Sequence, residues 1–154
     1  MRLAPEPKIE VEPEPTVNNV ALNKPVTTSA EQAENPGSRI TDNVLTGDSR
    51  WSAYEFPHTA TINLGGLFTV VQSEVYPYFD RPYQYEISVS VDGTNYTRVV
   101  DRRNNTQGGD KISDLFAPVE ARYIRITITG THENITEWSS IREMKIFGTE
   151  KVEA

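Results

Sequence analysis

Two segments of this 154-residue chain alternate apolar and polar residues with a period of two. They are residues 85–91 (YEISVSV) and 123–129 (YIRITIT). Successive side chains of a β-strand point to opposite faces, so this alternation predicts strands with one buried face and one solvent-facing face. Such strands become stable when their apolar faces pack against another layer, which makes a packed β-sheet protein the expected fold.

The rest of the chain supports the same fold class. Asp92-Gly93-Thr94-Asn95 directly follows the first alternating segment and is typical of a hairpin turn. No helical pattern is longer than one turn, and there is no internal repeat. We therefore predict an all-β fold, an antiparallel β-sandwich or jelly roll of about eight strands. The further predicted strands are 59–64, 69–76, 96–100 and 141–147.

A proline- and glutamate-rich stretch precedes the alternating region. Residues 1–19 hold four of the ten prolines and four glutamates, but no aromatic residue. Alternating proline and glutamate favour extended polyproline geometry and offer too little apolar surface to pack. We expect a linker at 1–19, a β-sandwich module at 20–149 and a short polar tail at 150–154.

Composition and motifs exclude several functions. The net charge of −7 argues against nucleic-acid binding, which needs a surplus of basic residues. The absence of cysteine excludes a disulfide scaffold, a thiolate zinc site and a cysteine nucleophile. His58 and His132 lie far apart, and no catalytic motif is present, so we expect a protein that is not an enzyme. A glycosidase-like carboxylate pair among Glu55, Asp80 and Glu137 stays open until their geometry is known.

Several short motifs then follow one another across residues 20–148. They are ALNKPV at 21–26, ITDN at 40–43, DSRWSA at 48–53, NLG at 63–65, YEISVSVDG at 85–93, ARYIRI at 121–126 and SIREMKIFG at 140–148. In this order they resemble a discoidin domain, the coagulation-factor C-type sandwich, and specifically carbohydrate-binding module family 32. Residues 99–109 resemble members attached to polysaccharide lyases. The resemblance implies an eight-stranded jelly roll with a structural calcium ion and a sugar site at the same end.

The calcium site implied by the resemblance consists of oxygen ligands. They are the carbonyls of Arg39 and Val44, the side chain of Asp42, the hydroxyl and carbonyl of Ser49, and Glu143. A hard cation suits such a set, at about 2.3–2.6 Å. Two positions depart from the family, since Asn43 stands at the usual glycine place and Val44 replaces a common polar residue. The alternative is a loop without metal, in which Glu143 pairs with Arg142 or Arg39.

Sugar recognition needs an aromatic face for stacking and fixed donors for hydroxyl or carboxylate groups. The residues expected to contact a sugar are Tyr54, His58, Arg81, Asn104, Asn105 and Trp138. Each also has a structural interpretation, since Trp138 can pack beneath its loop and Arg81 can pair with Asp80 or Glu86. Glu31, Glu34 and Asn35 are further loop candidates. We expect Trp51 in the core.

These features predict a non-catalytic, calcium-stabilised module of a larger secreted polysaccharide-degrading enzyme, a lyase or glycoside hydrolase. Its partners would be an oligosaccharide or polysaccharide and the catalytic domain in cis, with no nucleic acid, no membrane, and a monomeric state. The ligand is either a galactose-type sugar or a uronate such as alginate. The alternatives are a discoidin-type cell-adhesion or membrane-surface domain, and a small autonomous glycan lyase or hydrolase.

Overall fold

A computed structural model describes residues 17–151, and its regular elements are β-strands with three 3-10 turns. The turns are Gly37–Thr41, Tyr78–Asp80 and His132–Asn134. The all-β prediction is confirmed, and the described part contains no helix long and apolar enough to cross a membrane. The strands are β1 (Asn18–Asn19), β2 (Val26–Thr28), β3 (Trp51–Tyr54), β4 (His58–Pro77), β5 (Tyr83–Ser90), β6 (Thr97–Arg102), β7 (Ile112–Thr131) and β8 (Trp138–Glu150).

Two 20-residue strands, β4 and β7, stand at the centre of the strand order β1-β8-β4-β7-β5-β6, in which β2 also pairs with β4 and β3 with β8. The first half of β4 lies between β2 and β7, and its second half lies between β7 and β8. The β4–β7 register shifts between Asn63 and Phe68, where Gly65 has a φ of 80°. The predicted strands 59–64 and 69–76 are therefore two parts of one strand that bends at this bulge.

The alternating segments supply the core. Ile124, Ile126 and Ile128 of β7 are completely buried, as predicted from the period of two. Trp51 is also completely buried, and its indole nitrogen donates to the carbonyl of Ala30 at 2.9 Å. The first half of β7 has no such apolar period and is mostly exposed or half-buried, which explains why the sequence did not predict it.

The folded region begins earlier than the boundary expected at Val20. Asn18 pairs with Gly148, and Asn19 pairs with Phe147, so β1 occupies part of the stretch assigned to the linker. The Asn19 side chain adds a reason for this, because its Oδ1 accepts the backbone N–H of Ile146 at 3.1 Å. At the other end β8 continues to Glu150. Residues 1–16 of the linker expected at 1–19 lie outside the described residues.

Candidate functional site

Three arginines surround one tyrosine ring at an end of the sandwich. The guanidinium carbons of Arg50, Arg81 and Arg142 lie 4.3, 5.3 and 5.3 Å from the ring centroid of Tyr78. The Tyr78 hydroxyl donates to Asp48 at 3.0 Å, which fixes the ring. Stacking on an aromatic face holds a guanidinium in place while its N–H groups remain able to bind a ligand. Positive charge is therefore concentrated here in a chain of negative net charge.

Phe79 is an exposed aromatic residue that the sequence analysis missed. Its side chain is 68% exposed, and its ring centroid lies 4.1 Å from that of Tyr78. Phe79 and Asp80 both have a φ of 54°, a left-handed conformation that non-glycine residues rarely adopt. Strained backbone that presents a large apolar side chain to solvent is typical of ligand contacts. The only sequence signal was an aromatic pair between Pro77 and Pro82.

The loop after β6 holds this strained turn in place. The N–H of Gly109 donates to the carbonyl of Asp80 at 3.0 Å. A Cβ on Gly108 would lie 2.3 Å from the same oxygen, so only glycine allows the two loops to approach so closely.

Arg81 and Trp138, two of the predicted sugar-binding residues, line the same cavity. Its volume is about 270 Å³. Buried Tyr83 joins them, because its hydroxyl accepts from Arg81 Nη1 at 2.9 Å and donates to the carbonyl of Trp138 at 2.8 Å. Aromatic faces, guanidinium groups, an amide and hydroxyls together suit a pyranose ring. The lining residues are Gln32, Arg50, Ser52, Tyr78, Phe79, Arg81, Trp138 and Ser140.

Tyr54 and His58 extend this cluster beside Trp138. The ring centroids of Tyr54 and Trp138 are 5.1 Å apart, and Tyr54 donates to Glu137 at 2.8 Å, which raises the pKa of Tyr54. His58 is engaged by the protein at both ring nitrogens, with Nε2 2.6 Å from the carbonyl of Tyr54 and Nδ1 2.8 Å from Ser29 Oγ. His58 therefore positions Tyr54 instead of presenting a free nitrogen.

Asn104 and Asn105 lie elsewhere, in a separate pocket of about 530 Å³ that also contains Arg102 and Gln107. Asn105 is buried, and its amide donates to the carbonyls of Tyr83 and Gln107 at 2.8 and 2.7 Å. Its Oδ1 accepts from the N–H of Gln107 at 3.2 Å. Both amide hydrogens of Asn105 are thus used by the protein itself, and the expectation that Asn105 contacts a sugar stays a prediction. Asn104 is exposed.

The three carboxylates weighed as a glycosidase pair are all exposed. Glu137 accepts the hydroxyl of Tyr54, the N–H of Glu55 donates to the carbonyl of Glu137, and Asp80 belongs to the strained turn. A general acid needs an environment that keeps it protonated near neutral pH, which solvent exposure does not provide. This arrangement does not support hydrolysis.

The predicted metal ligands Asp42, Ser49 and Glu143 come together although 100 residues separate β8 from the loop. Glu143 is completely buried, and one carboxylate oxygen accepts the N–H of Asn43 at 3.0 Å. Its other oxygen, Oε1, is buried without a hydrogen-bond partner. Asp42 accepts from Ser49 Oγ at 3.1 Å and from the N–H of Val44 at 2.9 Å. Burial, together with the adjacent Asp42 carboxylate, raises the pKa of Glu143 to about 8.

This arrangement fits a hard cation. A buried carboxylate oxygen without a partner, beside a second carboxylate, is stabilised by a positive ion that accepts oxygen ligands. Across residues 17–151 no three acidic or histidine side chains gather at one point, so backbone carbonyls would supply further ligands. The side chains of Arg39 and Val44 are exposed, which leaves their carbonyls as the relevant atoms. In the described part Glu143 forms no ion pair, and Arg142 instead donates to the carbonyl of Leu45.

Comparison with known families and structures identifies similar proteins. The sequence model of the F5/8 type C domain matches residues 25–144. CpGH89CBM32-4 from Clostridium perfringens, in complex with GlcNAc-α-1,4-galactose, is 29% identical with a TM-score of 0.72 and covers 90% of this chain and 99% of its own. Chitosan-binding module 1 from the chitosanase/glucanase of Paenibacillus sp. IK-5 is 30% identical with a TM-score of 0.74, covering 85% and 99%.

A third similar structure contains an acidic sugar. The CBM32 of AlyQ, in complex with 4,5-unsaturated mannuronic acid, is 33% identical with a TM-score of 0.68, and covers 80% of this chain and 93% of its own. A truncated AlyQ that includes CBM32 and alginate lyase domains matches at 32% identity and a TM-score of 0.68, and the match covers 84% of this chain and 33% of that longer chain.

Proposed function

The chain belongs to the F5/8 type C domain family, as its motifs predicted, and from this membership we propose that it binds a carbohydrate without catalysing a reaction. The ligand site is the cavity between Arg81 and Trp138. The observation that carries the proposal is that Arg50, Arg81, Phe79 and Trp138 meet in one open cavity. Stacking faces beside fixed donors are what a sugar ring requires.

The ligand class that fits this cavity best is a uronate polysaccharide. A guanidinium presents parallel N–H groups that match a carboxylate, and Arg50 and Arg81 are both held against Tyr78. The 33% identity to a module in complex with unsaturated mannuronic acid supports this choice over a galactose-type sugar. Trp138 and Phe79 would contact the apolar faces of the sugar rings.

In its biological setting the module would target a secreted polysaccharide-degrading enzyme to its polymer. The occurrence of a CBM32 with an alginate lyase domain in AlyQ, and of a chitosan-binding module in a chitosanase/glucanase, supports attachment in cis. Tethering a catalytic domain near its substrate raises the effective concentration of that substrate without new chemistry. Each single contact would be weak, because an open cavity offers few hydrogen bonds and one or two stacking faces.

Calcium would have a structural role in this module. Asp42, Ser49 and Glu143, with the carbonyls of Arg39 and Val44, would hold it beside the loop that ends at Asp48. Bound there, a divalent cation would neutralise two adjacent carboxylates. Asp48 accepts a hydrogen bond from the Tyr78 hydroxyl. An ordered loop up to Asp48 would therefore also keep in position the Tyr78 ring, on which the arginines stack.

The proposal is tested by isothermal titration calorimetry. The protein is titrated with a mannuronate tetramer, with galactose, and with buffer alone as the blank. We expect binding of the tetramer by the wild type and at least about tenfold weaker binding by Arg81→Ala and Trp138→Ala. Leu115→Ala serves as the control, because Leu115 is 80% exposed and does not line the cavity.

Two other outcomes would overturn parts of the proposal. Binding of galactose but not of the tetramer would make the ligand a neutral sugar. Binding of neither sugar, together with co-sedimentation with phosphatidylserine vesicles, would move the chain to the membrane-surface class of discoidin domains.

A further inference from the structure

A second cavity of about 370 Å³ lies on a sheet face that is not part of the Arg81–Trp138 site. Cross-strand neighbours form its floor, since Thr27 pairs with Thr61, and Thr61 pairs with Arg125. The two cavities share no residue. The residues around the second cavity are Thr27, Thr61, Asn63, Asp92, Gly93, Tyr96, Tyr123 and Arg125.

Arg125 is fixed in this cavity but keeps free donors. Its guanidinium carbon lies 4.0 Å above the ring centroid of Tyr96, and Nε donates to Thr61 Oγ1 at 3.0 Å. Among residues 17–151, neither Nη1 nor Nη2 has a hydrogen bond or an ion pair. Such a guanidinium has already lost most of its side-chain freedom, so binding an anion through both Nη groups costs little further entropy.

The wall of the cavity is equally well ordered. Gly93, with a φ of 81°, lies so close to Tyr123 that an added Cβ would be 3.1 Å from Cε2 of the ring. The Asp92 carboxylate is fully used by its own turn, where it accepts from Ser90, from the N–H groups of Thr94 and Asn95, and from the Asn95 amide. Asp92 therefore fixes the turn that contains Gly93, the residue that lies against Tyr123. Its carboxylate is not available as a ligand.

We propose that this cavity is a second carbohydrate-binding site, which takes a uronosyl unit of a polysaccharide. The free Nη groups of Arg125 would bind the carboxylate, and Tyr96 and Tyr123 would contact the sugar ring. We choose a uronosyl unit because Arg125 is positively charged. The ligand class is that of the function proposed above, on which this inference rests. On β4, the step from His58, which contacts Tyr54 beside Trp138, to Asn63 at the second site is five residues, roughly 16 Å. Contacts at both sites would give avidity on a polymer.

The test is an NMR titration of ¹⁵N-labelled full-length protein with a mannuronate tetramer. The first site is silenced by the double substitution Arg81→Ala and Trp138→Ala. In that background we expect chemical-shift changes centred on Tyr96, Tyr123 and Arg125. Adding Arg125→Gln should weaken this remaining binding at least about tenfold, a typical loss for a bidentate contact. The control is Arg98→Ala, which removes one positive charge from β6, two strands away from Arg125 in the sheet, and changes no residue that lines the cavity.

Each outcome decides the proposal. Wild-type shifts that disappear completely in the double variant would overturn the second site and leave the first site standing. Equal weakening by Arg125→Gln and Arg98→Ala would also overturn it, since it would identify general charge attraction. Absence of any shift in the wild type would overturn the uronate assignment of both sites. If Arg125→Gln fails to fold, Tyr96→Ala in the double variant makes the same test, with loss of the shifts expected.

Discussion

The guanidinium of Arg81 donates a hydrogen bond of 2.9 Å to the phenolic oxygen of Tyr83, two residues further along the chain. The same oxygen accepts the N–H of Ser140 and donates to the carbonyl of Trp138. One buried hydroxyl thus connects the loop that carries Arg81 to the start of β8, which carries Trp138. The relative position of Arg81 and Trp138, the two residues proposed to contact sugar, therefore depends on a completely buried tyrosine.

Removing that hydroxyl should weaken binding by displacing Arg81. Tyr83→Phe keeps the buried ring but leaves the Ser140 N–H and the Trp138 carbonyl without a partner, so we expect a loss of stability of about 1–3 kcal/mol. Affinity for the mannuronate tetramer should fall about three- to tenfold. Urea denaturation and calorimetry measure the two effects. Tyr85→Phe is the control, because the Tyr85 hydroxyl is buried without a partner. A normal affinity in Tyr83→Phe would show that Arg81 is positioned by other contacts.

Calcium should raise the melting temperature, and Glu143 should be responsible. Because burial raises the pKa of Glu143 to about 8, the metal-free carboxyl is mostly protonated at pH 7, and the neutral amide of Glu143→Gln replaces it closely. The metal-free variant should therefore be at least as stable as the metal-free wild type, whereas its melting temperature should not respond to calcium. Thermal melts with EDTA and with millimolar calcium test this. Glu74→Gln provides a second buried glutamate for comparison and should keep the calcium response. A wild-type melting temperature that is independent of calcium would contradict the metal site.

Phe79 should contribute to binding but not to folding. Its side chain is mostly exposed and its φ of 54° is easily adopted by glycine, so Phe79→Gly should leave stability equal or higher by up to about 1 kcal/mol. We expect affinity for the tetramer to fall at least about fivefold, as for the loss of a stacking face. Isothermal titration calorimetry measures the affinity and denaturant melts measure the stability, which separates the two effects. An unchanged affinity would exclude Phe79 from the site.

The contact between Gly108 and Asp80 should affect binding from outside the cavity. A Cβ at Gly108 would meet the Asp80 carbonyl, so Gly108→Ala should displace the turn that presents Phe79 and weaken tetramer binding. Gly66→Ala is a matched control, because a Cβ there meets no atom within 4 Å. NMR spectra of Gly108→Ala should change around Tyr78–Asp80 while β4 and β7 stay unaltered. Equal binding by both variants would refute this coupling.

Asp92 should make part of the stability dependent on pH. Hydrogen bonds from the backbone N–H groups of Asn95 and Thr94 hold the pKa of Asp92 well below its ordinary value of 3.8. A lowered pKa in the folded state stabilises the protein above pH 3.8, and this contribution is lost as the pH falls further. Asp92→Asn should therefore be less stable than the wild type at pH 7, with the difference narrowing below pH 3.8. A pH-independent difference in urea midpoints would disagree with this assignment.

Period-two patterning was enough to predict the all-β fold and the strands that supply the core, because buried isoleucines alternate directly along β7. The association of Asp42 and Glu143 was also predicted, through family motifs. The roles of Phe79 and Asn105 were not predictable in the same way. The turn that carries Phe79 depends on the close approach of Gly108 to the Asp80 carbonyl, although the two residues are distant in sequence. The position of Asn105 depends on its hydrogen bond to the carbonyl of Tyr83. Loop chemistry is decided by tertiary neighbours that no local pattern encodes.

The pairing of β1 with the end of β8 determines where the two ends of the domain lie. Asn18 lies beside Gly148, ten residues along β8 from Trp138, a separation of roughly 33 Å. The two ends of the described domain therefore lie together, and the proposed sugar site lies near the opposite end of β8. A fusion partner joined before Asn18 or after Glu150 would in either case lie on the side of the domain opposite the proposed sugar site. Reversing the order of the two proteins in a chimera should leave access to the polymer unchanged.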